Sequence, residues 1–99
     1  MLDMLNLFKF KDTKAKYLSG GNKRKLLIAI ALIQSPKFVL LDEATTGLDP
    51  FSRRRLYEYL IKTSTTTLIV TQTIEDVEEY CDKVAVMIDG SIVEFGSIR

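Results

Sequence analysis

The sequence predicts an α/β chain with a mainly parallel sheet, flanking helices and a terminal β-hairpin, and three observations carry that prediction. Phe38, Val39, Leu40 and Leu41 form an apolar run between Ser35-Pro36 and a polar loop, the pattern of a strand buried on both faces of a parallel sheet. A second β-branched run at residues 66–71, TTLIVT, follows a segment of helical periodicity, so the two strands pair in parallel through a helical crossover. Near the end, Asp89-Gly90 stands between two apolar-rich runs, the strongest hairpin signal in the chain.

Taken in order, Leu2, Leu5 and Phe8 recur at helical spacing and predict an amphipathic helix over the first ten residues. Residues 9–16 are a basic, loop-like run whose Lys9, Lys11, Lys14 and Lys16 read as a solvated surface. Ser19-Gly20-Gly21 is a turn, and either Ser19 or Asn22 caps the helix predicted over residues 23–34. That helix is apolar on all sides after Lys25, which predicts burial. Asp49 is an N-cap with Pro50 at the first helical position, and Leu56, Tyr57, Leu60 and Ile61 mark the inward face of a helix running to about Lys62. Arg53, Arg54 and Arg55 on that helix read as solvated. Thr73 with Asp76 loosely matches a capping box before a short helix that turns Val77, Tyr80 and Cys81 inward. Glu75, Asp76, Glu78 and Glu79 then make a solvated acidic face. The hairpin strands span residues 83–88 and 91–95, closed by Gly96.

Ninety-nine residues suit at most one domain, which buries only about two-thirds of its unfolded surface, so the stability margin is thin. A net charge of +1 gives no global attraction to nucleic acid or to an anionic membrane. The single cysteine, Cys81, excludes an intramolecular disulfide and reads as a small core residue in a reducing compartment. No histidine is present, so any chemistry rests on carboxylates, amides, hydroxyls and backbone. The longest uncharged apolar stretch, residues 26–33, is far below the roughly 20 residues that span a bilayer. The first residues, with an early Asp3 and no basic lead-in, make a poor signal peptide, and a cytosolic setting is expected.

Chemistry concentrates at the end of the first strand, where Asp42 and Glu43 stand side by side and Asp49 follows in the next loop. Ligands of parallel sheets sit off the carboxyl ends of the strands. Two carboxylates there suit a magnesium-phosphate site, one holding the hydrated ion and the other orienting a water; a solvated loop or helix cap is the plainer alternative. The Ser-Gly-Gly turn offers unobstructed backbone N–H groups at a helix start, which suits an anion, although many such turns bind nothing. Gln72 stands at the carboxyl end of the second strand.

In this order and spacing, LSGGN at residues 18–22, FVLLDE at 38–43 and TGLD at 46–49 resemble the second half of an ABC-type ATPase domain, the carboxyl-terminal part of its P-loop-type fold. The terminal EDVEEYCDKVAVMIDGSIVEFGS also fits the family pattern, and the likeness covers nearly the whole chain. Asn22 in place of glutamine, followed by KRKL and AIALI, is most similar to the A subfamily, whose members commonly move lipids. The resemblance implies ATP and Mg2+ as cofactors, with Ser19, Gly20, Gly21 and Asn22 as the signature motif that meets the terminal phosphate of ATP held by an opposite domain. It implies that Asp42 coordinates magnesium through water, that Glu43 polarises the attacking water and that Asp49 links two composite sites. The implied partners are a second nucleotide-binding domain and transmembrane domains, at the cytosolic face of a membrane, with no nucleic acid.

Departures from the pattern qualify what it implies. The sequence holds no GxxxxGK[ST], and the family's glutamine loop upstream of the signature motif is absent too. By the resemblance, residues 1–99 are therefore a partial domain, inactive alone and an ATPase as part of a complete one. Gln72 stands where the family carries a histidine contacting the terminal phosphate, and Ala44 where proline usually follows the glutamate. Gln72 favours a first rival, a non-hydrolysing module for ATP-gated pairing, which the intact Asp42 and Glu43 disfavour. A second rival, a soluble ABC-type ATPase of DNA repair or translation, draws no support from the near-neutral charge.

Overall fold

Ser19 is the cap that starts the first helix: in extended conformation, it accepts a hydrogen bond from the Asn22 amide at 3.1 Å, and α1 runs Gly20–Leu32. The computed structural model describes residues 5–98, and the part of the expected amino-terminal helix before residue 5 lies outside them. From residue 5 onward that helix is replaced by turns and 3-10 segments at Phe8–Phe10 and Ala15–Tyr17. Asn6 has φ 58°, a left-handed conformation that no α-helix continues through. Leu5 and Leu7 consequently point into the core, and Phe8 is exposed.

β1, Phe38–Asp42, pairs in parallel with β2, Thr66–Val70, in the register Phe38↔Thr66 to Asp42↔Val70. The crossover is α2, Pro50–Lys62, as the sequence predicts. Its end is a Schellman arrangement, with Thr65 N–H donating to the Leu60 carbonyl, Ser64 N–H to Ile61, and Ser64 itself at φ 54°. Leu5 and Leu7, Ile28, Ala29 and Leu32 of α1, Val39 and Leu41 of β1, and Leu56, Tyr57 and Leu60 of α2 make one core cluster.

Burial on both faces of the sheet is not what the fold produces. Val39 and Leu41 are buried, whereas Phe38, Leu40, Leu68 and Val70 on the other face are each more than half exposed. The described helices cover one side only, and a strand's side chains alternate, so half of each apolar run faces outward. α1 departs from expectation for the same reason. Lys25, Ile28, Ala29 and Leu32 are buried, but Leu27, Ile30 and Ile33 are exposed, because a helix packed on one layer buries one stripe.

After β2 come α3, Ile74–Tyr80, and the antiparallel pair β3, Lys83–Ile88, and β4, Ser91–Ser97. Asp89 and Gly90 both have positive φ, 49° and 80°, as a type I′ turn requires. Gly96 does not close the hairpin; it pairs with Val84 inside β4, and a bulge between Val86 and Met87 takes up the register. The solvated acidic face of α3 is also corrected at one position. Asp76 is only 1% exposed, held by Tyr57, Thr45 and Arg53, so Arg53 is likewise not simply solvated.

Asp49 joins the two long helices. Its carboxylate accepts from the Ser52 amide at 2.9 Å and the Ser52 hydroxyl at 2.8 Å, capping α2, and pairs with the buried Lys25 ammonium of α1 at 2.9 Å. Those bonds, Lys25 first and the Ser52 amide next, hold its carboxyl well below the ordinary carboxylate range.

Two expectations follow from this packing. Leu56→Ala, at a fully buried site, should lower stability by about 2–5 kcal/mol in urea or thermal unfolding of the chain, enough to unfold a marginal domain. Leu40→Thr, on the open face, should change it by no more than about 0.5 kcal/mol. For Asp49, the folded carboxyl titrates below its ordinary 3.8, so the unfolded chain takes up the proton first. Its stabilisation is complete above that value and is lost as the pH falls through it toward the depressed folded value. The difference in urea midpoint between wild type and Asp49→Asn should be constant from pH 7 to 5 and shrink below about pH 4.

Candidate functional site

The parallel register brings the ends of both strands together. Asp42, opposite Val70, is exposed and shares the open sheet face with Phe38 and Leu40. Glu43 follows at φ 50°, an uncommon backbone conformation for a residue with a Cβ, which costs about 1–3 kcal/mol and persists only where its surroundings impose it. They do impose it. The Glu43 amide extends the ladder to the Val70 carbonyl at 2.7 Å, and the Glu43 carbonyl accepts from Thr46 N–H and from Arg24 Nη1 of α1, each at 3.2 Å. The Glu43 side chain leaves this clamped backbone exposed to solvent.

Gln72 is exposed at the same end of the sheet, two residues past Val70. The Thr73 amide donates to Thr71 Oγ1 at 3.0 Å, a tight turn that carries Gln72 between them. The register therefore places Asp42, Glu43 and Gln72 on one edge of the molecule.

The amino-terminal turn of α1 is locked to the loop after β1. A Cβ on Gly21 would stand 3.2 Å from the Gly47 carbonyl oxygen, a tight contact that glycine avoids, and Gly47 sits at φ 83°. Arg24 reaches the Glu43 carbonyl and Lys25 reaches Asp49, so three successive contacts from one helix turn fasten the 43–49 loop. Ser19 Oγ is used by the Asn22 amide, while helix geometry gives the Gly20 and Gly21 amides no intrahelical partner. Those amides, at the positive end of a thirteen-residue helix, suit an anion.

Arg24, Lys25, Thr45, Tyr57 and Asp76, which organise these loops, have no motif-level signal. A lysine inside an apolar helix stripe announces that a carboxylate must lie nearby, but not which one. Among the described residues no three Asp, Glu, His or Cys side chains gather as a self-sufficient metal cluster. Asp42 with one adjacent carboxylate does fit magnesium, which keeps several waters and takes phosphate oxygens beside one or two carboxylates. A small cavity lined by Leu32, Ser35, Pro36, Tyr59, Thr63 and Thr65 lies at the opposite, amino end of the strands, away from these groups.

The ABC transporter family model matches residues 1–46. Over 99% of the chain, 45% of residues are identical to human ATP-binding cassette sub-family A member 2, and over 96% of it, 41% are identical to the human retinal-specific phospholipid-transporting ATPase ABCA4. The chain spans 4% of the length of each of these relatives. In three dimensions it superposes on the dimeric ATP-binding cassette MJ0796 bound to ADP and Pi with a TM-score of 0.89 and 27% identity, covering 99% of this chain and 44% of that one. Similarity to A-subfamily members along its length and superposition on a solved cassette thus agree, and the chain belongs to the ABC transporter nucleotide-binding domain family, of the A-subfamily type.

Proposed function

We propose that this chain supplies one side of a composite ATP-hydrolysing site in a lipid-moving ABC transporter, working against a second nucleotide-binding domain and coupled to transmembrane domains at the cytosolic face of a membrane. The observation that carries the reading is the fastening of the Ser19-Gly20-Gly21 turn to the 43–49 loop through Gly47, Arg24 and Lys25. One rigid unit can then hold the amides that meet the partner's phosphate in fixed relation to the catalytic carboxylates, as positioning demands. A dimeric cassette bound to ADP and Pi, at a TM-score of 0.89, supports both the nucleotide and the pairing. The 41% identity to a protein named as a phospholipid-transporting ATPase supports the lipid substrate.

In this reading Gly20 and Gly21 donate backbone N–H groups to the terminal phosphate of ATP held by the partner domain, with Ser19 and Asn22 completing the turn. Asp42 holds hydrated Mg2+, which when bound neutralises charge on the phosphates. Glu43, on its clamped backbone, accepts a hydrogen bond from the attacking water and orients it. Asp49 serves the pair by keeping α1 and α2 as one surface. Gln72 donates an amide hydrogen bond to the terminal phosphate, but it carries no charge, and charge-assisted bonds are about twice as strong as neutral ones. That substitution for histidine favours a slow site with a long-lived closed pair.

Both parts are testable in a cassette completed with a phosphate-loop half. Glu43→Gln should leave ATP binding intact and slow phosphate release by about 10²-fold or more, whereas Asp42→Asn should weaken magnesium-dependent ATP binding. An unchanged rate in the Glu43 variant would place catalysis elsewhere. Gln72→His should raise the steady-state rate severalfold with ATP affinity within a small factor; a flat or lower rate removes the slow-site reading.

A further inference from the structure

We propose that Asp76 is a positioning residue that ties the Glu43 loop to the Gln72 loop, so that the two move as one. The proposal deepens the hydrolytic reading above and rests on it for its kinetic consequence. Asp76 is 1% exposed, and a carboxylate at such a position is tolerated only when paired and hydrogen-bonded. Its partners come from two other parts of the chain. Thr45 Oγ1 donates to Oδ2 at 3.3 Å, Tyr57 Oη donates to the same oxygen at 3.1 Å, and Arg53 Nε faces Oδ1 at 3.4 Å.

Each partner has a distinct mechanical meaning. Thr45 lies two residues past Glu43 in the turn closed by Thr46 N–H to the Glu43 carbonyl and Leu48 N–H to the Thr45 carbonyl. Asp76 lies four residues past Gln72, in the first turn of α3. That turn is weakly closed by its own residues: Thr73, the N-cap, makes no side-chain cap bond, and the Val77 amide reaches the Thr73 carbonyl at 3.4 Å. The position of the Gln72 segment therefore depends on what Asp76 grips. Tyr57 and Arg53 hold Asp76 to α2, with Tyr57 stacked on Tyr80 at 4.5 Å, and among the described residues Thr45, whose hydroxyl also neighbours that of Tyr57, connects it to the loop that carries Glu43.

Two substitutions that each remove one hydroxyl from the same carboxylate oxygen separate positioning from general stability. Thr45→Val and Tyr57→Phe should both lower the melting temperature of the chain modestly. In amide exchange on the 99-residue chain, Thr45→Val should raise rates in residues 43–47 and 71–75 together, while Tyr57→Phe, which leaves the Thr45–Asp76 bond in place, should raise residues 43–47 less. In the completed cassette Thr45→Val should lower kcat on the order of tenfold with KM for ATP unaltered, and Thr45→Ser should restore it. Tyr57→Phe should keep kcat within about twofold. Equal loss of kcat in both variants, or exchange in Thr45→Val confined to residues 43–47, would overturn the tether. A Glu43→Gln variant with full activity would instead overturn the hydrolytic reading, and the exchange result would still decide whether the loops are coupled.

Discussion

Asp49 accepts three hydrogen bonds on one carboxylate, and the arrangement of the candidate site depends on them. The Ser52 bonds start α2, and the Lys25 bond fixes α1 against that start. With both helices anchored to one group, the glycine turn of α1 and the loop after β1 have no independent freedom. Gly21 can approach the Gly47 carbonyl because both residues tolerate it sterically and because the ion pair holds the approach. Lys25 is itself buried, so its charge makes the pairing obligatory: removing Asp49 would strand an ammonium in the core.

The same logic of buried charge recurs at Asp76. Being ionic adds little to the stability contributed by Asp76, since desolvation consumes most of the Coulombic gain at so buried a site. What the buried Lys25 and Asp76 charges provide is specificity of arrangement, because a buried charge accepts only the geometry that satisfies it. Between them the two groups hold both ends of the segment from Glu43 to α2. Glu43 can then occupy a conformation that a free loop would leave.

The apolar surface shows a different constraint. A chain of this length cannot bury every apolar side chain its strands and helices carry. Phe38, Leu40, Leu68 and Val70 on the sheet, Leu27, Ile30 and Ile33 on α1, and Val86, Met87, Ile88, Ile92 and Phe95 on the hairpin are all exposed among the described residues. The superposed cassette is more than twice as long as this chain, which covers 44% of it.

The sequence by itself determined the element order from α1 onward, the extent of α2, the parallel pairing of β1 with β2, the Asp-Gly turn and the family. Those features rest on local chemistry: Asp49-Pro50 starts a helix, β-branched runs extend, and two positive-φ positions demand Asp-Gly or its equivalents. It also brought forward Asp42, Glu43 and Gln72, because the carboxyl end of a parallel strand is a fixed place in the topology. The tertiary structure alone decided that Asp76 turns inward while Glu75 stays in solvent, that Ser19 and not Asn22 caps α1, and that Lys25 belongs to Asp49. Helical periodicity places Asp76 on a face, but whether that face meets water or the Thr45 and Tyr57 hydroxyls depends on residues 31 and 19 positions away in the chain. One-sided burial of the sheet was equally beyond local reading, since an apolar run records only that its side chains avoid water, and what covers each face is settled by the layers around it.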